Sequence, residues 1–306
     1  MRNVAIILSF IFLSLQLYAQ QPDSSIFSQP LQMDAVVIKA VRGGWDLNAF
    51  IRRVRNDTTF YKAFRNMRFM SYNAVNDIRV YDKKGKVSAS LYSKTRQTFL
   101  GGCRTMQVLE EKVMGDFYKR KNKYRYYTAE LYDYLFFTHG RVCNESEIVK
   151  GALEERGSGQ MEKSKYQLKQ LIFNPGSKVG GIPLMGDKAA IFDASMAKYY
   201  DFKLQSDEYD GEDCYVFRAI PKKGYEDEVV YDELSTWFRK SDYAIVARDY
   251  SLSYKAMIYD FRVKMKVRTQ EIRNKLLPTR IEYDGNWHVF SQNRERVKFT
   301  AVINYL

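Results

Sequence analysis

The sequence predicts an α+β fold, a curved antiparallel β-sheet (a half-barrel built as a meander) with helices covering one face. Three observations carry this expectation. The stretch YDFRVKMKVRTQ, residues 259–270, alternates with a period of two: Tyr259, Phe261, Val263, Met265 and Val267 against Arg262, Lys264, Lys266 and Arg268. Successive strand side chains point to opposite faces, so this is a ribbon with one apolar and one basic side. From about residue 205 onward such segments succeed one another through short turns, with no βαβ rhythm; that is the pattern of an antiparallel meander with one packed face. Finally, Leu47, Phe50, Ile51 and Val54 fall at helical spacing near the start, and Phe60, Phe64 and Met67 continue such a stripe, which supplies helices to cover the sheet.

Taken in order, residues 1–19 read as a secretory signal peptide. Arg2 precedes an apolar run from Val4 to Leu17, and Ala19 is a small residue at the cleavage point. The run is shorter than the roughly 20 residues a membrane-spanning helix needs. The mature protein is expected in the periplasm or secreted. Residues 20–32 are polar, with Pro22 and Pro30, and read as a flexible leader. Residues 33–306 are expected to form a single α+β domain, helix-rich to about 204 and a strand meander from about 205. Within it, MDAVVIKA suggests a short strand, Asp46 is a candidate N-cap, and Asp57-Thr58-Thr59 looks like a second helix start with Arg65 and Arg68 on its polar side. Residues 69–97 read as strands about a turn at Asp82-Lys83-Lys84-Gly85. Met161, Leu168, Leu171 and Ile172 form a helical stripe stopped by Asn174-Pro175-Gly176.

The formal charge of +13, from 49 basic and 36 acidic residues, would raise nucleic acid as a partner in a cytosolic protein. Export removes that partner and leaves anionic envelope surfaces as the counterpart. The 24 tyrosines, 19 phenylalanines and 6 prolines suit a sheet with aromatic faces. Cys103, Cys143 and Cys214 match no metal spacing; an oxidising compartment permits one disulfide among them and leaves one thiol over.

Motif by motif, chemistry is scarce. GIPLMGDK places Asp187 where a phosphate loop needs lysine. DEYDGED places Tyr209 where a calcium loop needs a ligand, and Asp210-Gly211 reads as a turn. The two histidines, His139 and His288, have no nucleophile signalled nearby. No catalytic residue, metal or cofactor is expected. KRKNKYRYY, residues 119–127, reads as an exposed turn feeding a half-buried strand.

The basic side of 259–270 is most simply the wet face, since Asp249 and Glu282 on flanking strands can pair with it. The apolar side is then the one available for binding. A curved sheet closed by helices leaves room for an apolar or lipid ligand, and Trp237, Phe261, Met265 and Trp287 are the residues expected to line that site. The competing expectation is a structural or adhesion component that holds anionic polymers on its basic surface.

The run CYVFRAIPK, TWFRKSDYAIVARDY, FRVKMKV and LLPTRIEYDGNW resembles the half-barrel of LolA- and LolB-like outer-membrane lipoprotein carriers. The resemblance covers roughly residues 205–306 with the early helix added. It implies a non-enzymatic, lipid-binding protein of the envelope. The AVVIKA stretch and the signal ending in Ala-Gln also resemble envelope proteins of the Bacteroidota.

Overall fold

Alternation becomes register in the computed structural model, which describes residues 32–33, 47–145, 171, 173–179, 185–255, 259–289 and 293–306. The signal peptide, nearly all of the leader and of MDAVVIKA, Asp46, most of the 161–172 stripe and the first half of GIPLMGDK lie outside the described residues. The strands are β1 (Gln32–Met33), β2 (Tyr72–Tyr81), β3 (Val87–Leu100), β4 (Cys103–Gly115), β5 (Arg141–Cys143) and β6 (Tyr200–Tyr209). They continue with β7 (Glu212–Pro221), β8 (Tyr231–Arg239), β9 (Ile245–Lys255), β10 (Tyr259–Ile272), β11 (Lys275–Val289) and β12 (Glu295–Tyr305). The helices are α1 (Leu47–Asn56), α2 (Thr59–Met67), α3 (Tyr127–Phe136) and the short α4 (Ala194–Ala197).

All twelve strands join one sheet in the order β1-β6-β7-β8-β9-β10-β11-β12-β2-β3-β4-β5. Each neighbouring pair is antiparallel except β1 with β6, which is parallel. The meander from β6 to β12 keeps chain order; β12 then returns to β2, so the early strands extend the late ones. The sheet is open, with β1 and β5 at its edges. Residues 72–115 are thus almost wholly strand, more than a helix-rich first two thirds would hold.

On β10 the register sets Val263, Met265 and Val267 opposite Leu252, Tyr250 and Arg248 of β9, and opposite Gly285, Tyr283 and Ile281 of β11. All of these are buried. The helices lie over this face, the concave one. α2 starts where the Asp57 carboxylate accepts the N–H groups of Thr59 (3.3 Å) and Phe60 (3.4 Å), satisfying donors that a helix start leaves free. It buries Phe60, Ala63, Phe64 and Met67, and Phe64 meets Phe173 with ring centroids 4.2 Å apart. α3 sets Tyr132 against Phe299 of β12 at 4.7 Å.

The convex face answers for the basic side of 259–270. Lys266 stands across from both Asp249 and Glu282; Lys264 stands across from Asp284, whose carboxylate takes Lys298 Nζ at 2.8 Å. Arg268 bonds Asp249. Lys264, Lys266 and Arg268 thus face acids across strands, each exposed pair contributing at most about 1 kcal/mol, while Arg262 faces Ser253 and Asn286.

Two local expectations are corrected. The segment after KRKNK feeds helix α3, not a strand, because the Glu295 carboxylate accepts the backbone N–H groups of Tyr127 and Thr128 and so starts a helix there. Arg68 is buried, not on a polar face: it bonds Glu145, which Arg104 also engages at 2.8 Å. Cys103 and Cys143 face each other on β4 and β5 and are joined by a disulfide, while Cys214 is a buried free thiol. Among the described residues, no helix is long and apolar enough to cross a membrane.

Candidate apolar ligand site

At one end of the concave face the register lines up Tyr254 of β9, Phe261 of β10 and Trp287 of β11. Each is only partly buried, unlike the sealed positions further along the same strands. The Tyr254 and Phe261 rings lie 6.2 Å apart, and Tyr127 at the start of α3 meets Trp287 at 5.0 Å. A half-exposed row of large aromatic side chains on an inner face is a surface able to take an apolar chain.

A polar relay fixes Trp287. Its Nε1 donates to Thr128 Oγ1 at 2.9 Å, and Thr128 Oγ1 donates to Glu295 Oε2 at 2.9 Å. The same carboxylate accepts the N–H groups of Tyr127 (2.7 Å) and Thr128 (3.0 Å). A carboxylate at a helix N-terminus satisfies free donors and complements the helix dipole. Glu295 stands directly across from Trp287 on the neighbouring strand, so one residue both starts α3 and positions the tryptophan. Two residues back, the Tyr283 ring leans over Gly285, where an added Cβ would lie 2.0 Å from its hydroxyl.

Beyond this row the face is closed by packing. Met265 is 1% exposed and stands between Tyr250 and Tyr283. Arg248 is also buried; its Nε donates to Thr236 Oγ1 at 3.0 Å and its guanidinium lies 4.3 Å from the Phe60 ring centroid. Burial lowers its pKa. Across β2 and β3 the concave face turns polar. Tyr132 Oη donates to Asn76 Oδ1 (2.6 Å), and Asn76 Nδ2 donates to Ser93 Oγ (3.2 Å) and Thr95 Oγ1 (3.3 Å). Gln97 Nε2 donates to the carbonyls of Met67 and Met70, and Gln97 Oε1 accepts from Thr138. Arg104 continues the chain to Thr138 and Glu145. Desolvation and the neighbouring Arg104 charge lower the Arg68 pKa to about 10, and burial raises that of Tyr72 to about 12. Asn76, Ser93, Thr95, Gln97, Arg104, Tyr132 and Thr138 bond one another and the backbone after α2, forming a structural seam between helices and sheet.

Of the sequence-predicted lining residues, Phe261, Met265 and Trp287 share the concave face. Trp237 does not. It pairs with Ala247, which pairs with Arg268, so strand parity puts it on the convex face, where it packs on Tyr209 at 5.7 Å. Tyr254, Tyr127 and Glu295 join the site without having been expected there. Tyr254 shares the parity of Tyr250 and Leu252 and was legible by alternation; Glu295 and Tyr127 come from distant elements and were not. Among the described residues, no group of three or more His, Cys, Asp and Glu could hold a metal ion.

No family model matches the chain, and no curated protein does. Among solved structures it is similar to a DUF1329 family protein from Desulfovibrio piger, at 14% identity over 80% of this chain and 90% of that one, with a TM-score of 0.25. It is similar to an outer membrane lipoprotein-sorting protein domain from Vibrio parahaemolyticus, at 8% identity, the same coverage and a TM-score of 0.27. A structure describing lipid–protein interactions in lipovitellin matches at 6% identity over 78% of this chain and 25% of that one, with a TM-score of 0.25. Likenesses this distant say nothing about what the chain binds.

Proposed function

We propose that the protein is an exported, non-enzymatic binder that shields an apolar ligand, such as an acyl chain, between the sheet and its helices. The observation that carries this reading is the half-buried Tyr254–Phe261–Trp287 row on the concave face, backed by a closed apolar core. Tyr254, Phe261 and Trp287 would hold the chain at the open end, and Met265 marks the depth at which packing stops it. The convex side of β10 to β12 favours this over polymer holding, because Lys264, Lys266 and Lys298 there already face acids on adjoining strands. The reading is tested with a fluorescent fatty acid. Phe261→Asp places a carboxylate in the row and is expected to abolish binding, while Lys264→Glu on the wet face leaves it intact. Equal affinity in Phe261→Asp and the unmodified protein would refute the site.

A further inference from the structure

Two tight turns that the binding site does not use lie at the same end of the sheet as the aromatic row. The register makes this explicit: Phe261 faces Trp287, Trp287 faces Glu295, Val297 faces Val80, and Ala89 faces both Val80 and Gly115. The β2–β3 turn exposes Lys83, Lys84 and Lys86, and the segment after β4 exposes Lys119, Arg120, Lys121 and Lys123. Both turns are held rigidly. Asp82 accepts the N–H groups of Lys84 (2.8 Å) and Lys86 (2.9 Å). Lys119 N–H donates to the Lys123 carbonyl at 2.7 Å. Beneath that turn stands an aromatic post, with Phe117 fully buried among Tyr118, Tyr124 and Tyr126. The cations are therefore presented outward in a fixed arrangement.

Several acids at this end are already engaged. Asp82 holds its own turn, Asp260 pairs with Arg294, and Glu295 caps α3. Arg125 meets the exposed Asp116 at 3.7 Å. Apolar side chains stand beside the lysines: Val87, Val113 and Met114 are 37%, 44% and 48% exposed. Val113 and Met114 belong to β4, which β5 covers only from Cys103 to Thr105. Clustered cations flanked by exposed apolar groups complement an anionic lipid surface, the cations meeting headgroups and the apolar groups entering the boundary.

We infer that this end of the sheet docks on an anionic phospholipid bilayer and so brings the aromatic row to the membrane. The inference rests on the apolar-ligand reading, for which it supplies the place where the ligand is exchanged. The segment that carries most of the charge is also joined to the row, because Tyr127 comes directly after it and touches Trp287.

The test is flotation of the full chain with vesicles of phosphatidylcholine alone and of phosphatidylcholine with phosphatidylglycerol. Binding is expected only to the second, and to weaken as salt is raised. A near-surface cation contributes about fivefold in affinity, so Lys119→Gln, Lys121→Gln and Lys123→Gln together are expected to cost roughly a hundredfold. Lys264→Gln, Lys266→Gln and Lys275→Gln remove the same charge elsewhere and are expected to retain binding. Equal loss in both triple variants, equal binding to neutral vesicles, or no vesicle binding would overturn the inference. So would co-sedimentation with peptidoglycan sacculi in the absence of vesicle binding. Acyl content of the purified protein is measured in parallel: docking by a ligand-free protein upholds this inference and rejects the carrier reading, and a ligand-loaded protein that ignores vesicles does the reverse.

Discussion

Gly285→Ala is a small change with a large predicted cost. Gly285 lies mid-strand in β11, where alanine would ordinarily be preferred by about 0.5–1 kcal/mol. Here a Cβ would stand 2.0 Å from the Tyr283 hydroxyl, 2.3 Å from Cζ and 2.4 Å from Cε1. The ring cannot easily retreat: Tyr283 is 3% exposed and stacks on Phe299 at 4.7 Å with an interplanar angle of 6°. Relief requires moving the stacked pair or the strand, an overpacking cost of about 3 kcal/mol. Against the propensity gain, the net loss is about 2 kcal/mol, or a Tm lower by about 5 °C in a domain of this size. Urea melts of four proteins check it: wild type, Gly285→Ala, Tyr283→Leu and the double variant. In the Tyr283→Leu background the clash has no partner, and Gly285→Ala is expected to be neutral or mildly stabilising. A Gly285→Ala protein as stable as wild type, or a loss of the same size in both backgrounds, would refute the reasoning.

Three further perturbations come from the same geometry. Glu295→Ala removes the acceptor of two helix-start N–H groups and is expected to cost about 1–2 kcal/mol, with red-shifted tryptophan emission as Trp287 loses its anchor; Glu295→Gln is expected to lose less. Glu145→Gln leaves Arg68 and Arg104 facing each other with little solvent, a loss of about 3 kcal/mol in a denaturant melt. Replacing Cys103 and Cys143 by serine opens a link spanning 40 residues and is expected to lower stability by about 4 kcal/mol, whereas Cys214→Ala, which breaks no link, is expected to cost less than that.

Alternation made most of the sheet legible. The apolar parity of 261–267 is the buried parity, Asp82 to Gly85 is a turn with Gly85 at φ +76°, and the Phe60, Phe64, Met67 stripe is the buried side of α2. These features depend on neighbours a few residues apart. What was not legible depends on distance. The return of β12 to β2 joins chain segments that no local pattern connects. Trp237 was misplaced for being apolar: the register from Leu234 to Trp237 runs unbroken, so alternation sets it opposite in face to Leu234 and Thr236, beside Ser235. Tyrosines after a basic turn suggested a strand, and a carboxylate 168 residues away makes the segment a helix. Arg68 has the sequence context of a surface charge, and only the placement of Glu145 beside it explains its burial.

The apolar-ligand reading is tested most directly by what the protein carries. Protein purified from its native host, extracted with organic solvent and analysed by mass spectrometry, is predicted to release acyl species at near one-to-one stoichiometry. Phe261→Asp protein prepared in parallel, folded by circular dichroism, is predicted to release none. Lipid-free wild-type protein that also fails to take up added fatty acid would contradict the account.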